Sequence, residues 1–156
     1  MLKDLGLNAL EDLANAINTK DDAWRAEQKR AISEHFPNFK IHEHGWIFTL
    51  EGELAPTGSP HIVKVLCHRT MILEGGYLLR QKLGPRVTTP NIPFSFELKH
   101  IYPGKHNTRE YSLCLFDWRH ISDDRQWRES YLIAETILPW ASEWLLGYEM
   151  LMDQGQ

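Results

Sequence analysis

"FKIHEHGWIFTLEGEL", residues 39–54, is where the period of this chain changes. Before it, apolar residues recur every three or four positions. Within it they alternate, with Trp46, Phe48, Leu50 and Gly52 on one side and Ile47, Thr49 and Glu51 on the other. Alternation reads as extended chain, because successive strand side chains point to opposite faces. Downstream, "HIVKVLCHRTMI" (61–72) is β-branched and alternating as well. "APTGSP" between the two runs is a turn, so they form a hairpin.

Upstream, residues 7–36 read as helical. Leu7, Leu10, Leu13, Ala14 and Ile17 share one face, and "NTKD" then interrupts. Thr19 is placed to cap a second stretch, with Asp22 three positions on, and Trp24, Ala31, Ile32 and Phe36 give that stretch its apolar face. Pro37 ends it, since a proline ring disfavours helix in the residue before it. Beyond the hairpin, "GGYLLRQKLG" reads as a third strand or an irregular excursion. "PRVTTPNIP" reads as loop, "FSFELKHIY" (94–102) as strand and "PGKHNTRE" as a turn-rich insertion. From Ile121 onward the helical period returns. "SDDRQW" looks like a helix start, and Ile133, Ile137, Trp140, Ala141, Trp144, Leu145 and Tyr148 lie three or four apart. Pro139 inside this run either kinks one helix or starts another. The order helix, antiparallel strands, irregular segment, helix predicts an α+β fold with helices at both ends of the chain.

The totals fit a single domain spanning 1–156. Net charge is −4 and no basic block occurs, so the counterion-releasing face that nucleic-acid binding needs is missing. No apolar run is long enough to span a membrane. The N-terminus is acidic and amphipathic, without the basic start and continuous apolar core of a signal peptide, so the expected compartment is the cytoplasm. There Cys67 and Cys114, which form no CxxC pair, are expected to be free thiols. Four of the six tryptophans lie after residue 117, which predicts dense packing in the C-terminal part.

Three sets of residues are candidates for chemistry. His42 and His44, two apart on a strand, share a face that suits two imidazoles on one metal, but neither His61 nor His68 is fixed as a third ligand. They read more simply as exposed hairpin histidines, and no metal or cofactor is expected. Cys67 lies within a strand pattern, where free cysteine usually serves as a small hydrophobe. Cys114, in "EYSLCLFDW" (110–118), lies where extended chain gives way to polar residues and helix, with His100, His106, Asn107 and His120 nearby in sequence. A nucleophilic cysteine needs thiolate character and access, yet from spacing alone a buried core thiol fits this run better, because free cysteine is so often buried. No P-loop, GxGxxG, GxSxG or HExxH motif occurs.

Residues 100–149 decide between those readings. "HIY", "SLCL", an acidic and aromatic pair after it, a tryptophan about a dozen positions on, and the closing "WASEWLLGYE" resemble the active-site half of ubiquitin-conjugating enzymes. The likeness is strongest to the bacterial branch found in antiphage CBASS operons and related ubiquitin-like conjugation systems. The resemblance implies a UBC-like fold: N-terminal helix, antiparallel β-meander, active-site cysteine segment and C-terminal helices. It implies that Cys114 carries a protein's C-terminal glycine as a thioester and hands it to a lysine amine. The carried C-terminus would belong to a cGAS-like nucleotidyltransferase (CD-NTase) or a ubiquitin-like protein. No activating segment is legible in the chain, so the acyl group would come from another protein. Eukaryotic members place an HPN triplet before the cysteine. Here no HPN occurs; His100, fourteen positions before Cys114, is the matched imidazole, and Asn107 or His106 is left to supply the oxyanion donor. Asp117, Asp123 and Asp124 would either steer an incoming lysine or cap a helix. Trp127, Trp140, Trp144 and Tyr148 are expected to pack the core. Two other readings stand beside this one: a non-catalytic binding module of the same fold, and a hydrolase built on His42 and His44.

Overall fold

The computed structural model describes residues 21–45, 47–69, 71–74, 80–83, 85–103, 111–116 and 127–154, with backbone alone at 71–74, 80–83 and 103. Helix α1 covers residues 21–35. Its inner face carries Gln28, Ala31 and Ile32, all buried, with half-buried Trp24 one turn earlier. Its outer face is laced by Arg30, which bonds Glu27 at 2.9 Å and Glu34 at 2.8 Å. Such pairs, three and four residues apart, are neighbours on a helix surface. The helix stops just before Pro37, as expected; the part predicted over 7–20, with its Thr19 cap, lies outside the described residues.

The sheet departs from its prediction at Gly45. Residues 39–54 are two strands, β1 (Lys40–His44) and β2 (Ile47–Leu54), paired antiparallel with His44 opposite Ile47. Gly45 takes φ +66° at the first position of the two-residue connection. Tight hairpins need that conformation, and a glycine adopts it without a Cβ clash. Strand β3 (His61–Cys67) pairs with β2 as expected. The register sets Phe48 opposite Cys67, Leu50 opposite Val65 and Gly52 opposite Val63. One face therefore carries Phe48, Leu50, Val63, Val65 and Cys67, and all five are buried.

Gly52 belongs to that face because the Phe39 ring lies over it, in the space a Cβ would occupy. Gly52→Ala should therefore destabilise the fold by about 1–3 kcal/mol, the usual cost of overpacking. That corresponds to a fall of several degrees, at roughly 2–4 °C per kcal/mol for a chain of this size. Thermal melts of the two proteins check it; equal midpoints would refute it.

Three more stretches differ from the sequence reading. The run 61–72 breaks after Cys67, and β4 (Met71–Glu74) pairs instead with β5 (Arg80–Leu83) as a separate hairpin. The proline-rich "PRVTTPNIP" is not all loop: its centre is β6 (Arg86–Thr88), which pairs with β3 and completes a four-stranded sheet of order β1-β2-β3-β6. Its three prolines stand outside the strand, so the paired residues keep their N–H donors. Conversely, 94–102 is strand only at its end, β7 (Ile101–Pro103), which pairs with β8 (Tyr111–Leu113). Ser95 stops any earlier extension. Its hydroxyl accepts the Glu97 N–H at 3.2 Å and its carbonyl accepts the Leu98 N–H at 3.1 Å, a local turn.

The C-terminal helical expectation is corrected as well. Residues 127–136 run through turns, and the helix, α2, spans Ile137–Gln154. Pro139 lies in its first turn, where its missing N–H costs nothing, so it starts this helix rather than kinking it. Ile137, Leu138, Ala141 and Leu145 form its buried stripe, and Trp140, Trp144 and Tyr148 pack at the margin of the core. Trp127 is buried within the core, edge-on to Trp24 at 6.4 Å. Residues from α1, the sheet, β8 and α2 join in one hydrophobic cluster, as an α+β fold requires.

Candidate functional site

Cys114 is the first residue after β8. The pleat sorts its neighbours: Tyr111, Leu113 and Leu115 are buried, while Ser112, Cys114 and Phe116 are half-buried. Its thiol is therefore on the open side of the segment. Cys67 provides the contrast. At 0 % exposure it stands in the sheet core opposite Phe48, and burial pushes its thiol well above the ordinary range. The thiolate is the reactive form, so Cys67 is the inert structural thiol the sequence predicted.

The β7–β8 pairing sets Ile101 opposite Leu113, and one step further His100 stands opposite Cys114. The Cys114 N–H donates to the His100 carbonyl at 2.8 Å. His100 is exposed and holds φ +56°. This left-handed conformation costs a non-glycine residue about 1–3 kcal/mol and persists only where its surroundings enforce it. The enforcement comes from α2. The Trp144 indole N–H donates to the Lys99 carbonyl at 3.1 Å and to the His100 carbonyl at 3.2 Å. Two further anchors hold the strand pair. The Tyr111 hydroxyl donates to the Ile92 carbonyl at 2.7 Å and meets the Thr89 hydroxyl at 3.0 Å. The Tyr102 hydroxyl donates to the Phe116 carbonyl at 3.2 Å. The segment thus presents a half-open thiol on a backbone tied down from both sides.

The family model for Type II CBASS E2 protein matches residues 28–156 of this chain. The chain belongs to that family. The match runs from the middle of α1 through the sheet, Cys114 and α2, and the α+β architecture is consistent with a UBC-like fold. Membership gives this CBASS E2 a ubiquitin-conjugation-like, transferase-type role in CBASS. Among curated proteins, no relative matches it.

The remaining sequence candidates of this E2 fall into two groups. Asn107 and His106, expected to stabilise an oxyanion, lie outside the described residues, as do Asp117, His120, Asp123 and Asp124. The histidines considered for a metal are placed apart in their bonding. His42 and His44 are exposed on β1, with the His44 ring 3.4 Å from the Thr49 hydroxyl. His68 is buried and its Nδ1 lies 3.0 Å from the Arg69 carbonyl. His61 pairs with Glu149 at 2.6 Å. Among the described residues no three metal-ligating side chains come together. None of the described helices is long and apolar enough to cross a membrane.

Two contributors escaped the sequence reading. Trp144 packs against the core as expected, but its N–H also holds the His100 peptide; a helical aromatic at core spacing gives no sign of that second task. Glu149 is the other. It bonds the Thr57 hydroxyl and the His61 ring, joining the β2–β3 turn to the end of α2. Those bonds, Thr57 first and His61 second, hold its carboxyl below the ordinary 4.5. A carboxyl lowered by folding stabilises the fold above its unfolded pKa and loses that contribution as pH falls through the folded one. Glu149→Gln should accordingly lower the melting temperature near neutral pH, and the gap to wild type should close below pH 4.5. Melting curves across pH 3–8 test this, and a gap independent of pH would rule it out.

Proposed function

We propose that this CBASS E2 carries the C-terminal glycine of a protein as a thioester on Cys114 and transfers it to a lysine amine. The observation that supports this reading is the half-open Cys114 thiol, fixed opposite His100 at the end of β8, in a chain of this family. The chemistry suits the thiol. A thiolate with a parent pKa of about 8.5 is a far better leaving group than an amide nitrogen, so the carried acyl group stays reactive toward amines. In the loading step the Cys114 sulfur attacks the incoming thioester carbonyl, and the donor's thiolate leaves. In transfer the lysine nitrogen attacks the same carbonyl, the Cys114 thiolate leaves, and the amine gives up a proton. His100 is the imidazole proposed beside this step, and Asn107 the donor proposed for the tetrahedral oxyanion.

The cargo we propose is the C-terminus of a cGAS-like nucleotidyltransferase, delivered by a separate activating enzyme in the cytoplasm. A binding module of the same fold would need no cysteine outside the core, and Cys114 is half-buried where Cys67 is buried. The test is co-expression with the nucleotidyltransferase of the same operon, followed by non-reducing electrophoresis. The expected result is an adduct that thiol reagents dissolve, and that a Cys114→Lys variant converts to a thiol-resistant amide. Absence of any adduct with the nucleotidyltransferase and its activating enzyme present would overturn the reading.

A further inference from the structure

We propose that Trp144 is a positioning residue for Cys114, acting through the His100 carbonyl; this rests on the reading of Cys114 as acyl carrier. Successive carbonyls of an extended strand point in opposite directions. The torsions of His100 set the angle between the Lys99 and His100 carbonyls, and its φ of +56° lets both reach one donor. That donor is the Trp144 Nε1, at 3.1 and 3.2 Å. The His100 carbonyl in turn receives the Cys114 N–H at 2.8 Å. One indole N–H thus holds an unfavourable backbone conformation whose carbonyl anchors the cysteine's own amide. Any slack at the indole passes through a single peptide to the Cys114 backbone, and so to the direction of its sulfur.

The indole is itself held. Its ring stacks on Tyr148 at 5.9 Å and 5° between planes, and Tyr148 meets His61 edge-on at 6.1 Å. His61 closes the chain by bonding Glu149. Packing alone would be served by any large apolar side chain at position 144. The fork to two consecutive carbonyls requires a donor, which phenylalanine and leucine lack.

Trp144→Phe in the full chain separates the two roles, because it keeps a stacking ring and deletes the N–H. The expected result is local. Exchange of the Cys114 amide, followed by NMR, speeds up about tenfold, while the Ile133 amide, bonded to Gln28, stays within about twofold. The pH–rate profile for alkylation of Cys114 by iodoacetamide shifts, read against Cys114→Ala as blank. The yield of thiol-labile adduct falls about tenfold with the melting temperature within a few degrees of wild type. Unchanged exchange and unchanged alkylation would overturn the proposal, and so would equal acceleration at Cys114 and Ile133, which marks general loosening. If Trp144→Phe does not fold, Tyr148→Leu, which keeps the N–H and removes the stack, should give a smaller change of the same sign; no change there would also overturn it. A wild-type chain that makes no adduct refutes Cys114 as carrier, while the amide exchange still decides the positioning.

Discussion

Cys114→Ala should abolish the thiol-labile adduct, a loss of about a thousandfold or more, while Cys67→Ala should leave it intact. The size of the first effect follows from the role. Removing a covalent nucleophile leaves no other group to hold the acyl chain, and such losses run to about 10³–10⁶. The asymmetry follows from placement. Cys114 is half-buried on the open side of its segment, whereas Cys67 is enclosed between the sheet and the core and keeps its proton. Cys67→Ala should instead appear as a stability defect of about 1–2 kcal/mol, the cost of a small cavity, so both variants are compared well below their melting temperatures. Non-reducing gels with and without thiol reagent give the readout. An adduct that survives Cys114→Ala, or that disappears only in Cys67→Ala, would move the chemistry to the wrong cysteine and sink the assignment.

Legibility in the sequence tracked the range of the interaction that decided each element. The change of period at 39 was readable because alternation is local, and so was the end of α1 at Pro37. The hairpin at Gly45 shows in the sequence only as a change of phase, with Ile41 at an odd position standing opposite Leu50 at an even one, and two apolar residues before the turn are too few to mark that change. Strand β6 was hidden by the prolines that flank it; its partners in β3 stand 20–24 residues away, so only the assembled sheet reveals it. The helix expected over 127–136 had the right apolar spacing. Side chains from α1 claim its backbone groups instead, a contact 105 residues distant in the chain. At the site, the proposal for Cys114 starts from the order of flanking motifs. The Trp144 fork and the His100 conformation were not legible there, because both depend on where α2 crosses the β7–β8 pair.

Gln28→Leu should be among the most destabilising single changes in the fold, costing about 3–5 kcal/mol, although the bonds of its amide run to Tyr131 and Ile133 and not to a cysteine. The side chain is 2 % exposed and uses both ends of its amide. Its Nε2 donates to the Tyr131 carbonyl at 2.8 Å, and its Oε1 accepts the Ile133 N–H at 2.8 Å. Beside it the Trp24 indole donates to the Glu129 carbonyl at 2.9 Å, and Arg69 ties Glu129 to Asp21. Three backbone groups of this segment, the Glu129 and Tyr131 carbonyls and the Ile133 N–H, therefore take their hydrogen bonds from α1 in place of a helical ladder. Leucine matches the volume but leaves the Ile133 N–H buried and unpaired and the Tyr131 carbonyl without that donor. Each unmet group costs about 1–3 kcal/mol. At roughly 2–4 °C per kcal/mol, the melting temperature should fall by about 6–20 °C.

Gln28→Glu sharpens the test, because it keeps the acceptor for Ile133 and replaces the donor to Tyr131 with a second acceptor. Burial raises such a carboxyl above its unfolded pKa of about 4.3. The penalty must then grow as pH rises from the unfolded to the folded value and shrink in acid, where a protonated carboxyl again donates to the Tyr131 carbonyl. Melts of Gln28→Glu at pH 4 and pH 8 measure this difference directly. Equal penalties at both, or a Gln28→Leu variant as stable as wild type, would show that the amide clamp does not hold residues 129–133 to α1.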